Sequence, residues 1–561
     1  MTWQNKLYYG DCLTVMQDMK LGSVDLIYLD PPFKSQRDYN AIYKDETGRP
    51  LPDQVEAFCD TWTLNEETER AARHMPVLMR EAGVDDEIAE FWRLWMNALR
   101  KTNPTILAYL VYMTQRLLPM RGILKPTGSL YLHCDPAASH YIKVMLDAIF
   151  GHDNFRNEVI WRRTGAHGRA KRWGPIHDVL LFYSRGKSYV WNRVYEAYDA
   201  DYIANFYRFN DDHGQYRLVT LDGPGIRQGD SGKPWRNVDP TVKGRHWELP
   251  PDRALPEWFE FPDGYAQMSI QDRLDVLDEA GIIYWPPRGS VPQYKRYLSV
   301  SEGNPVQDII SDIRPIGSQA KERLGYDTQK PVELLERIIA ASSNPGDVVF
   351  DPFCGCATTI EAAHRLDRKW IGIDIAIHAI KRVARVRLED RLGLKEGIDF
   401  EITGVPQTLE GAQDLWENDK YHFQKWAVGE VDGFVTTKKG SDGGIDGRLY
   451  FDVPDKKDLQ SMVIEVKGGK NVGIGVVRDL RGVLERETAQ MAGLIVMDEL
   501  GDVKTRNFAK EMAQAGDLEV RGMPYARMQM LTVQDILDGK RFNTPSVARG
   551  KGLRQPKLQL G

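Results

Sequence analysis

The chain has 561 residues, 42% hydrophobic and 27% charged, an ordinary globular balance over a length that admits roughly two to four domains with their own cores. A formal charge of −6 has the wrong sign for a general polyanion coat, so contact with nucleic acid must come from local basic clusters. The five cysteines (Cys12, Cys59, Cys134, Cys354, Cys356) lack paired CxxC spacing, which argues against a zinc site or a disulfide framework and fits a reducing cytoplasm. No run of about 18 apolar residues is present, and Met1-Thr2-Trp3-Gln4-Asn5 lacks a signal pattern, so no membrane partner is expected.

From Leu7 to Phe33 the pattern reads turn, helix, strand and loop. Gly10-Asp11-Cys12-Leu13 opens a short helix, Gly22-Ser23 ends it, and Val24-Asp25-Leu26-Ile27-Tyr28-Leu29 runs as a strand into Asp30-Pro31-Pro32-Phe33. Residues 66–100 are dense in Glu and Arg, with apolar residues at helical spacing as in Phe91-Trp92-Arg93-Leu94-Trp95, and read as a helical insertion. A helix from Thr105 to about Arg121 precedes the strand Ser129-Leu130-Tyr131-Leu132-His133, and Ala137 to Phe150 forms another helix. Strands over 157–161 and 178–183 follow, and the alternation predicts a mostly parallel sheet.

Between those two strands, Arg162, Arg163, Arg169, Lys171 and Arg172 surround Gly165 and Gly168 in a basic loop with Trp173. Phosphate contact is the natural role, and such contacts position a duplex without specifying its sequence. A solvated basic loop is the plainer alternative. Residues 190–320 then break the rhythm with Gly, Pro, Trp and Tyr, and read as a loop-rich inserted region. Within it, Trp235, Arg236, Arg245, His246 and Trp247 are candidates to read or wedge bases, and the tryptophans are equally readable as packing anchors.

The rhythm resumes with a helix from Pro331 to Ala341 and a strand into Asp351-Pro352-Phe353-Cys354-Gly355-Cys356-Ala357-Thr358-Thr359. A helix to about Leu366 and the strand Trp370-Ile371-Gly372-Ile373-Asp374 complete it. After about residue 405 the composition changes. Asp419 to Val428 reads as a helix, strand-like stretches lie around Asp446 and Glu465, and the tail from Thr544 is expected to be disordered.

Both the Asp30 and Asp351 corners are strand-to-loop junctions, where open α/β sheets place ligands. An exocyclic amino nitrogen is a poor nucleophile because its lone pair is delocalised into the ring. A carboxylate from Asp30 and a carbonyl from Pro31 would each accept one N–H and favour the pyramidal form. Pro31 and Pro32 restrict the loop, and Phe33 offers a face for an extruded base. At the second corner a ligand lying over the turn excludes a Cβ, which Gly355 lacks. The loop amides would face an amino-acid carboxylate, and Asp374 would accept ribose hydroxyls.

Together the two corners resemble those of DNA amino-methyltransferases, which move a methyl group from S-adenosylmethionine to an exocyclic nitrogen. The resemblance covers roughly residues 1–400. The catalytic corner comes first, the irregular region second and the cofactor corner last, which is the order of the β class. It implies a Rossmann-like α/β methyltransferase sheet, base flipping from double-stranded DNA, and a target-recognition role for residues 190–320. It also implies cofactor contacts by Asp351, Phe353, Gly355, Ala357 and Thr358, and by Thr328, Lys330 and Pro331 of Asp327-Thr328-Gln329-Lys330-Pro331 for the methionine part, with Asp11 near the adenine. Ala357 departs from the family's FxGxG loop, where Gly is usual. Asp rather than Ser before the Pro-Pro pair favours adenine N6 over cytosine N4 as the target.

A second constellation lies downstream, in Gly443-Gly444-Ile445-Asp446-Gly447 and Val463-Ile464-Glu465-Val466-Lys467. Residues two apart on a strand share a face, so Glu465 and Lys467 point together, and Asp446 from a neighbouring strand would complete an oxygen site for Mg²⁺. The pattern resembles the Mrr-type branch of the PD-(D/E)xK nucleases over about 410–535. That resemblance implies a smaller α/β nuclease domain, with Asp446 and Glu465 as metal ligands and Lys467 as a catalytic partner. The expected layout is a methyltransferase catalytic part at 1–189, a target-recognition insertion at 190–320, a cofactor-binding part at 321–405, a restriction-endonuclease domain at 406–540 and a tail at 541–561. Double-stranded DNA is the expected partner, and a homodimer is compatible with the sequence.

Overall fold

Short apolar runs bounded by Gly, Pro and Asp become strands, and the amphipathic stretches between them become covering helices. The computed structural model describes residues 3–32, 39–41, 55–58, 62, 64–165, 171–287, 291–317, 320–324, 328–435, 445–453, 456, 458–469, 472–498 and 500–545. Nine strands form the main sheet: β1 (Asn5–Tyr9), β2 (Val24–Leu29), β3 (Leu124–Cys134), β4 (Phe155–Arg162), β5 (His177–Ser184), β6 (Ile309–Ile310), β7 (Val348–Asp351), β8 (Lys369–Asp374) and β9 (Phe400–Thr403). Their order is β6-β4-β5-β3-β2-β7-β8-β1-β9. All neighbours are parallel except those of β5, which opposes both β3 and β4. The expected mostly parallel α/β sheet is therefore present, with one reversed strand.

Every position of β2 is buried, as a strand covered on both faces requires. Its period of two splits the side chains between two cores. Ile27 and Leu29 pack with α1 (Cys12–Gln17), α2 (Glu66–Glu81), α3 (Asp86–Thr102), α4 (Pro104–Ile123) and α5 (Pro136–Phe150). Leu26 and Tyr28 pack on the opposite face with α6 (Val332–Ser342) and α7 (Thr358–Arg365). The helical insertion is thus a layer of α2 and α3 outside α4.

One expectation is corrected. The segment around Leu7 is not a turn; it is strand β1, lying between β8 and β9. Only Leu7 and Tyr9 of its five residues are buried, so the local signal is weak. Its ladder partners lie near residues 371 and 401, too distant for a local pattern to reveal.

Residues Arg193–Gln307 form a separate compact unit. It is loop-rich, yet it holds a four-stranded sheet from Phe209–Asp211, Gly214–Thr220, Ile283–Tyr284 and Gln293–Tyr297. Trp235, Trp247, Leu274 and Leu277 belong to its own core. The two indoles meet edge to face at 5.8 Å, and the Trp247 N–H donates to the Lys233 carbonyl at 2.9 Å. Of the two readings of the tryptophans, the packing one fits: Trp235 and Trp247 are buried in this core, and His246 is buried too, with its Nδ1 2.8 Å from the Gly225 carbonyl.

After α8 (Arg385–Leu392), α9 (Leu409–Asn418) and α10 (Lys420–Glu430), a five-stranded sheet follows. Its strands in order are β10 (Phe434–Val435), β11 (Gly447–Phe451), β12 (Gln460–Lys467), β13 (Met491–Val496) and β14 (Met528–Thr532). The first two pairings are antiparallel and the last two parallel. The core continues from the nine-stranded sheet into this one through Phe423 and Trp426 of α10. The expected disordered tail lies outside the described residues beyond Pro545.

Candidate active sites

The carboxyl ends of adjacent strands β2 and β7 deliver Asp30 and Asp351 to one edge of the sheet. The ammonium group of Lys330, from the Thr328–Pro331 segment ahead of α6, donates to the Asp30 carboxylate. The early corner therefore touches the segment ahead of α6 through a charge contact, while the β2–β7 ladder sets Asp30 and Asp351 side by side. Pro31 is buried beside it, Pro32 is half-buried, Thr328 is exposed, and Pro331 caps α6. Phe33 and Asp327 lie outside the described residues.

A buried polar chain stands behind Asp30. The hydroxyl of Tyr28, two residues earlier on β2, lies 2.8 Å from His133 Nδ1, and His133 Nε2 lies 3.2 Å from Asp178. Arg163, at the root of the basic loop, reaches the other Asp178 oxygen at 3.2 Å. Burial works to raise the Asp178 carboxyl. The His133 hydrogen bond and the charges of His133, Lys330 and Arg163 prevail and hold it below the usual carboxylate range.

The cofactor corner is built around the bend after β7. Gly355 and Ala357 both take left-handed backbone, at φ 48° and 58°. Asp374, at the end of β8, accepts the N–H groups of Gly355 at 2.9 Å and Ala376 at 2.8 Å, and so clamps the bend. Each carboxylate oxygen keeps a further acceptor site, which leaves Asp374 capable of binding a ribose diol. Asp351 accepts the Phe353 N–H at 3.0 Å. Burial pushes Asp351 up to about 7 and Asp374 to about 6, the former aided by the negative charges of Asp30 and Asp374. Asp11 caps α1 through the Leu13 N–H at 2.8 Å and pairs with Arg116 at 2.6 Å. A turn kept open by Gly355, a helix N-terminus and a clamping carboxylate suit a compact amino-acid-bearing nucleoside.

In the basic loop, Arg162, Lys171 and Arg172 are exposed, whereas Arg169 lies outside the described residues. Arg236 and Arg245 are occupied inside their own unit. Arg236 pairs with Asp275 and Asp278 and lies over the Trp235 ring, while Arg245 pairs with Asp222 at 2.7 Å.

In the C-terminal sheet, Glu465 and Lys467 point the same way, as the strand period predicts, and pair at 2.7 Å. Asp446, just before β11, accepts the Val466 N–H at 2.6 Å and so sits beside Glu465. Burial raises the Glu465 carboxyl; Lys467 opposes the shift, and Asp446 and Asp479 add to it. Its Oε2 is buried without a hydrogen-bond partner. Gly443 and Gly444 lie outside the described residues. Trp416 packs so closely over Gly468 that an added Cβ would lie 2.3 Å from the indole, which explains the glycine after Lys467. Among the described residues no cluster of three metal-ligand side chains occurs. Two carboxylates, one of them with an orphaned buried oxygen, do fit Mg²⁺, which commonly takes one or two carboxylates and completes its shell with water and phosphate oxygens.

Three partnerships were not anticipated from sequence: Lys330 with Asp30, Arg116 with Asp11, and Arg387 with Glu361. Arg387 of α8 is fully buried, pairs with Glu361, and donates to the Cys356 carbonyl at 2.9 Å and the Thr358 hydroxyl at 2.8 Å. The available signal was a charged residue at a buried position of an amphipathic helix, as with Arg116 inside the apolar run of α4.

No helix among the described residues is long and apolar enough to cross a membrane. The family model for DNA methylases matches residues 24–385, and that for restriction endonucleases matches 417–519. The type II methyltransferase M.EcaI of Enterobacter cloacae is 36% identical over 279 residues, which is 50% of this chain and 57% of that protein. The Mod subunit of the type III restriction-modification enzyme StyLTI of Salmonella typhimurium is 26% identical over 382 residues, 65% of this chain and 50% of that one. The DNA adenine methyltransferase YhdJ of Escherichia coli is 57% identical over 56 residues, 10% of this chain and 19% of that one. The chain thus spans about half the length, or less, of these relatives. Similar solved structures include the cytosine-N4-specific PvuII DNA methyltransferase, with 12% identity and a TM-score of 0.31, covering 67% of this chain and 83% of that one. Another is the M1.HpyAVI–SAM complex, with 14% identity and a TM-score of 0.29, covering 69% of this chain and 99% of that one. The chain belongs to the N6/N4 DNA methylase family, and a segment of the restriction endonuclease family follows its methylase segment in the same polypeptide.

Proposed function

We propose that the chain methylates adenine N6 in double-stranded DNA at a specific sequence and cleaves DNA with a separate Mg²⁺-dependent site. When bound, S-adenosylmethionine supplies an electrophilic methyl group. Asp30 accepts one N–H of the flipped base's amino group and the Pro31 carbonyl accepts the other, which frees the nitrogen lone pair for attack. Phe33 stacks the base. Gly355, Ala357, Thr358, Phe353 and Asp351 shape the cradle, Asp374 takes the ribose, Asp11 lies toward the adenine, and Thr328, Lys330 and Pro331 contact the methionine part. Arg162, Arg163, Arg169, Lys171 and Arg172 hold phosphates. The side-by-side delivery of Asp30 and Asp351 by β2 and β7 carries this reading, because a single carbon must pass between the two corners. The Asp before Pro31-Pro32 and the stretch shared with a DNA adenine methyltransferase support adenine over cytosine.

In the C-terminal domain, Asp446 and Glu465 would hold Mg²⁺, whose charge polarises a scissile phosphate, and Lys467 positions the attacking water. The division into 1–189, 190–320, 321–405, 406–540 and 541–561 belongs to the same proposal. Asp30→Ala should abolish methyl transfer and leave plasmid nicking intact, and Glu465→Ala should do the reverse. Loss of both activities from either well-folded variant refutes the two-site reading. Absence of Mg²⁺-dependent nicking in wild type reduces the C-terminal domain to a DNA grip.

A further inference from the structure

Trp173 is 97% exposed, more than any other large hydrophobic side chain among the described residues. A bare indole in water is unfavourable, and its surroundings suggest what covers it. From Arg162 to His177 the sequence contains no carboxylate, although the chain as a whole is acidic. Arg162, Arg163, Lys171 and Arg172 give the loop a strongly positive field, which suits a polyanion and disfavours an acidic protein surface.

Topology fixes where the loop emerges. β3 runs parallel to β2, with Leu132 opposite Leu29, and β5 runs antiparallel to β3, with Val179 opposite Cys134. The start of β5 therefore lies at the edge where β2 delivers Asp30. The loop's root is fixed by Arg163 and Thr164, whose N–H groups donate to the Ile176 carbonyl at 3.0 and 3.3 Å. From that root the chain Arg163–Asp178–His133–Tyr28 leads into the strand that carries Asp30.

We propose that Trp173 inserts into the base stack of double-stranded DNA beside the extruded nucleotide, with Arg162, Arg163, Lys171 and Arg172 on the flanking phosphates. The inference rests on the methyltransferase reading. Extruding a base leaves a gap with two exposed base faces, and a flat indole restores the lost stacking. Trp173 is thus a positioning residue that holds the duplex open while Asp30 engages the base.

The test compares two duplexes carrying the site mapped by single-molecule sequencing of DNA from expressing cells, one with the target base paired and one with it mispaired. Methyl transfer by the full chain is followed with tritiated S-adenosylmethionine. Trp173→Ala should lower kcat/KM at least tenfold on the paired duplex and less than twofold on the mispaired one, whose target already sits loosely. Trp173→Phe should retain most activity on both. With 2-aminopurine at the target position, the fluorescence rise on binding should shrink in Trp173→Ala. Equal loss on both duplexes, or no loss on the paired one, overturns the wedge alone. A wild-type chain that methylates neither duplex overturns the methyltransferase reading itself.

Discussion

The ammonium group of Lys330 rests on the carboxylate of Asp30, although 300 positions separate them in the chain. This contact ties the corner proposed to hold the acceptor base to the segment proposed to hold the methyl donor. Both side chains are largely buried, so the contact supplies charge compensation that water cannot.

Lys330→Met should accordingly lower kcat for methyl transfer on the order of 100-fold, because a misplaced carboxylate no longer aligns the amino group. Asp30→Asn should abolish turnover while calorimetry still detects S-adenosylmethionine binding. A Lys330→Met variant with full kcat and only a raised KM for the donor would confine Lys330 to cofactor contact.

Ala357 stands where the family uses glycine, and it adopts φ 58° and ψ 36°. An L-residue there carries roughly 1–2 kcal/mol of strain. Ala357→Gly relieves it but removes a buried methyl worth about 0.8 kcal/mol and loosens the unfolded chain by a similar amount. The net change should stay within about 1 kcal/mol, with donor binding retained. Ala357→Val places a β-branched side chain in the same strained, fully buried position and should cost at least about 2 kcal/mol. Thermal unfolding and calorimetry of both variants check this.

Burial raises Asp351 to about 7 and Asp374 to about 6, both above the ordinary aspartate value near 4. The folded chain then binds more protons than the unfolded one between about pH 4 and pH 7, so this contribution to stability is greatest in acid and is lost as pH rises through 6 to 7. Asp351→Asn cannot ionise and can still accept the Phe353 N–H. Its gain in stability over wild type should be small near pH 4 and reach on the order of 4 kcal/mol by pH 8. Scanning calorimetry across that range reads it directly.

Glu361 and Arg387 are both fully buried, and Arg387 also holds the Cys356 carbonyl and the Thr358 hydroxyl of the cofactor bend. Glu361→Gln leaves a buried cation undercompensated and should cost about 3 kcal/mol with weakened donor binding. The double variant Glu361→Gln/Arg387→Met should recover much of the stability without restoring donor binding, because the bend still lacks its clamp. Losses from Glu361→Gln and from Arg387→Met alone that simply add in the double variant would show that the pair acts as two independent packing residues.

Much of the architecture is legible in the sequence. Residues 26–29 and 348–350 are continuous apolar runs, and α4 and α5 carry long apolar stretches, so local hydrophobicity dictates buried strands and covering helices. The same-face placement of Glu465 and Lys467 follows from a strand's period of two alone. The weak spots were short or half-polar. β1 has two buried residues in five, and the compact core of Arg193–Gln307 is assembled from strands of two to seven residues around Trp235 and Trp247.

By itself the linear order of residues determined the two corner motifs, with their acid–Pro-Pro segment and glycine bend, and the ExK strand, since each depends on neighbours a few positions apart. Only the tertiary structure decided that β2 and β7 lie side by side, that Lys330 closes onto Asp30, that Arg236 and Arg245 turn to their own carboxylates, and that Arg387 reaches under the cofactor bend. Those outcomes depend on which strands share a ladder and which charges lose their water together. Both are set by the packing of distant segments, and no local pattern encodes them.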